Sequence, residues 1–352
     1  MAPRIVIPFI PTLLHLSSVE IALHFYNGFD VETLDEVFTK MKQGNSTLSE
    51  KTTEENKEVS RVKESLLIIP AHLRETVVQG VHGLNEAIQN WRMDHHHIFK
   101  FKNDHCTLYF RSDGSIDAVE TAKNLVRNRK ISIRKRFKIA CMYCLEKSVL
   151  TLWAEMEASG ETENLETANN SMTRFWVRWL REGSRVPWLQ AARLYLDPPT
   201  NVYHHIPIFS VFLPLLRPNE RLKFFDTFRF AAFDDFRFCL YAVTEDEEEQ
   251  IVKGGAFFVL LLHLCWPLQS LFLETAEKLW NNIDDTSFRL LLNLIWDNKK
   301  NLKDFDYSEL FEGFWNRSPR HLKESVREFS RLKDIIDRHF NEKRIKRRLQ
   351  ND

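Results

Sequence analysis

The sequence predicts an all-α protein built from serial short antiparallel helices, either an α-solenoid-like array or an irregular helical array. Apolar residues recur at helical spacing along most of the 352 residues, and no segment shows the alternating pattern of a β-strand. Only 10 glycines occur beside 27 phenylalanines and 9 tryptophans, which argues against a turn-rich β protein. Consecutive short helices joined by tight turns are typical of stacked helical hairpins.

The most apolar stretch of the chain is 254–280. Residues 256–262 carry no polar side chain, and Pro267 separates them from an apolar stripe that ends at Trp280. The pattern predicts a helix over 256–266 that is buried on nearly all sides, followed by a helix buried on one face. Because 256–266 is shorter than the roughly 20 residues of a membrane span, we expect no transmembrane segment and no membrane partner.

Composition shifts divide the chain into predicted segments. Two polar stretches, 44–60 and 157–171, hold too few apolar residues to bury much surface, so both are predicted to be loops, the first a flexible linker. The predicted organisation is an N-terminal helical segment 1–43, a linker 44–60, a helical region 61–156, a polar loop 157–171, a C-terminal helical array 172–342 and a basic tail 343–352.

Several helix ends carry local signals. Asn27-Gly28 predicts the end of the first helix, and Ser132 is a candidate N-cap for a helix to about residue 156, with a possible break near Lys147-Ser148. Thr244 and Glu247 have the spacing of a capping box. The acidic run 245–249 is therefore interpreted as the start of a helix rather than as a cation site.

Charge and cysteine content limit the functional classes. The 49 basic and 49 acidic side chains cancel, so the whole chain has no general attraction to nucleic acid or to anionic membranes. Five cysteines, most within apolar helical pattern, favour reduced thiols in an intracellular protein. Pro8 and Pro11 interrupt the apolar N-terminus, so no signal peptide is expected. The expected location is cytoplasmic, with the nucleus as an alternative.

One cluster resembles a metal site. It comprises His95, His96 and His97, with His105 and Cys106 a few residues later. Consecutive helical residues point about 100° apart, so at most two of the three adjacent histidines could share a zinc ion. Solvated or partly buried histidines are the favoured interpretation, and a metal-dependent enzyme is the weaker alternative.

Other candidate reactive residues lie in apolar surroundings. Cys141 and Cys144 have the spacing of half a zinc site, yet both lie on an apolar helical stripe, and His263 lies in the most apolar segment. All three are predicted to be core residues. Since no phosphate-binding, nucleophile-elbow or zinc-protease motif occurs, no catalytic residue and no cofactor are predicted.

Two basic stretches could contact phosphate groups. Residues 127–138 hold seven cations in twelve positions, and the chain ends with a second basic run. A solvated surface is the simpler interpretation, because the only aromatic residue in the first stretch, Phe137, is predicted to face the core. The candidate nucleic-acid contacts are Arg129, Lys130, Arg134, Lys135, Arg344, Lys346, Arg347 and Arg348.

Three segments resemble an uncharacterised, multi-copy, all-helical protein family of spiders. They read RFKIACMYCLEKSVLTLW at 136–153, CWPLQSLFLETAEKLW at 265–280 and KDFDYSELFEGFWNRSP at 303–319. The resemblance extends over about residues 110–320. It implies a helical array in an intracellular, lineage-specific protein and adds no catalytic residue.

These observations lead to three functional hypotheses. The first is a non-enzymatic helical scaffold that presents a groove to a protein or peptide, since helical arrays bind through extended surfaces. The second is a protein that associates with nucleic acid through the two basic stretches. The third is a metal-dependent enzyme that uses the histidine cluster.

Overall fold

A computed structural model describes residues 4–43, 53–99, 106–165, 170–183, 186–195, 208–221, 225, 231–326 and 329–351. Within these ranges all repeating structure is helical, and the only β interaction is an isolated antiparallel bridge between Phe110 and Ile116. The predicted all-α class is confirmed, whereas a solenoid-like arrangement is not. No described helix is both long and apolar enough to cross a membrane.

The helices follow one another along the chain. In order they are α1 Leu13–Gly28, α2 Val31–Lys42, α3 Thr53–Ile68, α4 Ala71–His95, α5 Ala118–Arg127, α6 Ile133–Met142, α7 Glu146–Ser159, α8 Ser171–Arg181, α9 Trp188–Tyr195, α10 Phe209–Phe212, α11 Pro218–Arg221, α12 Phe233–Ala242, α13 Glu245–Leu262, α14 Phe272–Leu279, α15 Asp285–Asn301, α16 Tyr307–Arg317, α17 Arg320–Val326 and α18 Ser330–Asn351. Within the described ranges, short 3₁₀ turns lie at Leu213–Leu215, Gln269–Leu271 and Trp280–Asn282.

The chain forms two compact units. The larger unit is Pro8–Glu247, and the smaller unit combines Met1–Ile7 with Glu248–Asp352. The division lies near position 247, inside the predicted array 172–342, and the smaller unit draws on both ends of the chain. Local composition predicts where loops occur. The division into two units depends instead on contacts between residues that are distant in sequence.

In the larger unit, α1 packs chiefly against α4, and two helices separate them along the chain. Gly80 makes this approach possible, because a Cβ at this position would lie 3.1 Å from the Cβ of Ala22. Such a pairing skips neighbouring helices, so this part of the chain is not a series of sequential hairpins.

The predicted linker 44–60 is partly helical. Residues 44–52 lie outside the described part of the chain, but α3 begins at Thr53 and includes the last eight residues of the predicted linker. Val59, Val62 and Leu66 are buried at helical spacing. The stretch was predicted as a loop because it is polar. Its last residues nevertheless form the start of α3, and Val59 is the first buried apolar residue of that helix.

The helices α5 to α9 enclose an aromatic core. Trp176 is fully buried, and its ring centroid lies 5.0 Å from that of Trp188 and 5.4 Å from that of Trp179. The predicted helix 132–156 is broken at 143–145, earlier than Lys147-Ser148. Cys144 adopts a φ of 50°, in the left-handed region, which ends α6 and allows α7 to start in a new direction.

In the smaller unit, the apolar segment 256–266 is heavily buried, as predicted. No residue between Gly255 and Gln269 is exposed. The helix itself is different: α13 runs from Glu245 to Leu262 with a non-helical residue at Gly255, and it ends four residues before the predicted position. The hydroxyl of Tyr307 donates to the carbonyl oxygen of Leu264 at 3.1 Å, beyond the end of the helix.

The acidic run 245–249 serves helix ends and chain contacts. Within the larger unit, the Thr244 amide donates to Glu247 Oε2 at 2.8 Å and the Glu247 amide donates to Thr244 Oγ1 at 3.3 Å, which confirms the capping box. Within the smaller unit, the buried carboxylate of Glu248 accepts hydrogen bonds from the amides of Ile5 at 3.1 Å and Val6 at 2.7 Å. Both carboxylates therefore have structural roles.

Candidate functional site

The turn between α5 and α6 carries a dense set of cations, which we call the basic surface. Its members are Arg127, Arg129, Lys130, Arg134, Lys135, Arg136 and Lys138. Arg127, Arg129 and Lys130 are exposed, and the other four are half-buried. No acidic residue occurs between 127 and 138.

The fold places these cations at the surface by burying the apolar residues between them. Ile131 and Phe137 are buried, which leaves the intervening cations to face outward. Asn128 closes the turn: its side-chain oxygen accepts from the Lys130 amide at 3.0 Å, and its carbonyl accepts from the Ile131 amide at 3.0 Å. The turn is thus held by backbone contacts, and the cationic side chains are not needed to hold it.

Glu155 and Glu163 contact the basic surface in different ways. Arg136 lies 4.0 Å from the half-exposed carboxylate of Glu155, and Arg134 donates to the backbone carbonyl of Glu163 at 2.8 Å. In the described part of the chain, no carboxylate lies within ion-pair distance of the three exposed cations. Burial and, second, the nearby Arg134 lower the pKa of Lys138. The cations therefore crowd one another and form a positive region on a chain of zero net charge.

The N-terminus of α6 lies within the basic surface. Ser132 is the N-cap residue, as predicted, but its hydroxyl makes no capping hydrogen bond. The first turn of α6 contains no acidic residue and instead holds Arg134 and Lys135. Cations at the positive end of a helix are unfavourable unless an anion is present, so the helix end and the side chains favour the same kind of ligand.

The second predicted basic stretch lies in the smaller unit. Arg344, Lys346, Arg347 and Arg348 belong to α18, whose backbone is helical to Asn351. The predicted basic tail is therefore a continuation of the last helix. Its side chains from 342 onward lie outside the described residues.

The histidine cluster does not converge on a common point. His95 is buried, its Nδ1 donates to the Trp91 carbonyl at 2.7 Å, and its Nε2 accepts from the Tyr143 hydroxyl at 2.9 Å. Both ring nitrogens are therefore engaged in structural bonds. His96 bonds the Met93 carbonyl, and Cys106 is half-buried. His105 lies outside the described residues, and among those described no group of three potential ligands could hold a metal ion.

The remaining candidate nucleophiles are core residues, as predicted. Cys141 and Cys144 are buried; burial raises the pKa of Cys141, and burial raises that of Cys144 to about 12. Thiols with such raised pKa values stay protonated and are poor nucleophiles. His263 is buried and its Nδ1 bonds the Val259 carbonyl at 2.7 Å, one helical turn earlier.

Sequence reasoning missed a buried ionic network around Arg237. This side chain is 2% exposed, and its guanidinium lies 3.3 Å from Asp113, 3.2 Å from Asp234 and 2.8 Å from the Ser115 hydroxyl. Asp113-Gly114-Ser115 forms a local turn, in which the Gly114 amide donates to the Arg111 carbonyl and the Ser115 amide to Asp113 Oδ1. The turn is recognisable locally, but its partner is more than 100 residues away and leaves no local signal.

A group of carboxylates lies beside this network. Asp235 is buried and accepts hydrogen bonds from the amides of Phe209 at 2.7 Å and Ser210 at 2.9 Å. Burial is the main reason that the pKa of Asp235 rises to about 6. Desolvation by surrounding protein, and next the charge of Asp234, raise the pKa of Asp94 to about 6 as well, although the Asp94 carboxylate remains accessible to solvent. The Asp235 carboxylate thereby holds the start of α10 against α12.

Comparison with known proteins found no match. No protein-family model, curated protein or solved structure is similar to the chain. The resemblance to a helical family of spiders therefore stays a prediction, and any functional assignment depends on the geometry of the chain.

Proposed function

We propose that this chain is a non-enzymatic protein that binds nucleic acid through phosphate contacts on the basic surface. The observation that carries the proposal is the concentration of seven cations around the turn 128–132, with three of them exposed and free of carboxylate partners in the described structure. Nucleic-acid backbones are recognised by cations placed in this manner. The uncapped start of α6 adds backbone amides suited to a phosphate oxygen.

The buried reactive groups support binding rather than catalysis. The imidazole of His95 bonds Trp91 and Tyr143, Asp235 caps the backbone at Phe209, and Arg237 is surrounded by its own partners. A general base or nucleophile needs access to substrate. The hydrogen bonds of His95 and Asp235 and the ion pairs of Arg237 are all made within the fold.

The protein-interaction scaffold predicted from the sequence stays a second hypothesis. None of the described contacts identifies a protein or peptide partner. The cytoplasmic or nuclear location likewise stays a prediction.

The proposal is tested by fluorescence anisotropy with a labelled oligonucleotide of about 15 residues, a length within the footprint of small binding domains. The variant Arg129→Glu with Lys130→Glu reverses two exposed charges of the basic surface. We expect the affinity to fall at least about tenfold and the salt dependence to decrease by about two ion equivalents. Circular dichroism checks that the fold is retained.

A matched control reverses two exposed lysines elsewhere. Lys253 and Lys300 are 66% and 52% exposed, and Lys253→Glu with Lys300→Glu changes the net charge by the same amount. This control should bind like the wild-type protein. Equal loss in both double variants, or no salt-dependent binding by the wild-type protein, would contradict the proposal.

A further inference from the structure

One exposed aromatic residue lies next to the basic surface without being part of it in sequence. Tyr109 precedes α5 and is 39% exposed. Within 127–138 the one aromatic residue is Phe137, and it is fully buried. The fold supplies one from outside that stretch.

Tyr109 is fixed at three points. Its amide donates to the Thr121 hydroxyl at 3.0 Å, its carbonyl accepts from the Asp117 amide at 2.7 Å, and its hydroxyl accepts from Asn124 Nδ2 at 2.9 Å. Thr121 and Asn124 both belong to α5. The ring is therefore held against this helix at both ends and loses little freedom when a ligand binds.

The contact with Asn124 places the ring beside the cations. Asn124 is three residues before Arg127 and four before Asn128, and side chains at these spacings are neighbours on a helix. The phenol end of Tyr109 is thus one helical turn from the first exposed cation of the basic surface. Two acidic side chains of the same segment are already paired, Asp117 with Arg111 at 3.5 Å and Glu120 with Lys123 at 3.3 Å.

We infer that the ligand of the basic surface is single-stranded nucleic acid, with Tyr109 stacking on one base while the neighbouring cations hold the phosphates. This inference rests on the proposed function and narrows its ligand class. Proteins that bind single-stranded nucleic acid commonly use exposed aromatic rings flanked by cations. In a duplex the bases are stacked on one another and present only their edges. A ring anchored on a helix surface therefore cannot stack on them.

The experiment compares a labelled oligothymidylate of about 15 nucleotides with a mixed-sequence duplex of equal length, both by anisotropy at two salt concentrations. Wild-type protein should bind the single strand more tightly. Tyr109→Leu should weaken single-strand binding about 5- to 150-fold, the range expected for the loss of one stacked base, and leave duplex binding unchanged. Tyr109→Phe keeps the ring and should retain most of the affinity.

A second measurement uses the wild-type protein and does not depend on a variant folding. An oligonucleotide containing 5-iodouracil is irradiated in the complex, and the crosslinked peptide is mapped by mass spectrometry. The expected crosslink is at Tyr109. Crosslinks elsewhere only, or equal affinity for both ligands with no effect of Tyr109→Leu, would overturn the inference and leave phosphate binding intact. Absence of binding to either ligand would overturn the proposed function and the inference with it.

Discussion

The guanidinium of Arg237 and the hydroxyl of Ser115 lie 2.8 Å apart although 122 residues separate them in sequence. The bond joins the turn before α5 to α12, within the larger unit. Because Arg237 is almost fully buried, its charge depends on this hydroxyl and on the nearby carboxylates for the solvation that water would otherwise supply.

Replacement of Arg237 by methionine should destabilise the larger unit strongly. The change leaves the largely buried carboxylate of Asp113 without its cation, and loss of one member of a buried ion pair costs about 3–5 kcal/mol. Urea denaturation measures the effect. Arg320→Met is the control, because Arg320 is 91% exposed and its ion pair with Glu324 should contribute little. Similar midpoints for the two variants would show that the Arg237 network is not stabilising.

Stability should respond to pH through Asp94. Its folded-state pKa of about 6 exceeds the ordinary value of 3.8, so the folded state favours the protonated form. The resulting stabilisation is complete below about pH 3.8 and is lost as the pH rises through about 6. Asp94→Asn should therefore raise the urea midpoint at pH 7.5 and flatten the pH dependence between these values.

Asp284 provides a control of opposite sign. It caps α15, and hydrogen bonds from the amide and hydroxyl of Ser287 lower its pKa. The stabilisation from Asp284 is present above its ordinary pKa and is lost as the pH falls through the lowered folded value. Asp284→Asn should thus lower the midpoint at pH 7.5. If both variants shift the midpoint in the same direction, the environment of Asp94 differs from the one described.

Two adjacent leucines of α13 should differ in their contributions. The sequence predicts a helix over 256–266 that is buried on nearly all sides, but Leu261 is only half-buried, whereas Leu260 is fully buried. Leu260→Ala should cost about 2–5 kcal/mol, because it opens a cavity in the core. Leu261→Ala should cost clearly less. Thermal or urea unfolding of the two variants measures the difference. Equal costs would contradict the burial described for the two side chains.

The hydroxyl of Tyr307 should stabilise the end of the apolar segment. It donates to the Leu264 carbonyl and accepts a hydrogen bond from the side-chain Nε2 of Gln269 at 3.3 Å. All of these groups are buried. Tyr307→Phe removes only the hydroxyl and leaves this carbonyl without that donor, which should cost about 1–3 kcal/mol. Hydrogen exchange should speed up first in residues 263–269. Unchanged exchange there would indicate that another group satisfies the carbonyl.

Local signals in the sequence predicted much of the secondary structure. Thr244 with Glu247 and the glycine at position 28 mark helix ends through contacts within a few residues, and each lies at the predicted boundary. The exception at 53–60 has a similar origin. A turn with a single apolar residue gives no periodicity, yet Val59 is buried in a helix that packs against α2.

The sequence predicts which residues form the basic surface, but it does not predict which distant residues lie beside them. The cluster of cations at 127–138 is visible in the sequence, and so is the burial of Phe137. The approach of Tyr109 to Asn124 and of Arg237 to Ser115 depends on how helices pair in space. Pairing is decided by the complementarity of surfaces, such as Gly80 against Ala22, and a single sequence contains no periodic signal for it.

The contact of Ile5 and Val6 with Glu248 has a consequence for how the chain acquires its structure on the ribosome. The larger unit is complete once residue 247 has left the exit tunnel, so it can fold while synthesis continues. Val6 cannot bury its side chain, and the two amides cannot reach their carboxylate, until the following segment has emerged. The smaller unit therefore closes only after Glu248 and the residues that follow it have been made, although Ile5 and Val6 are made before them.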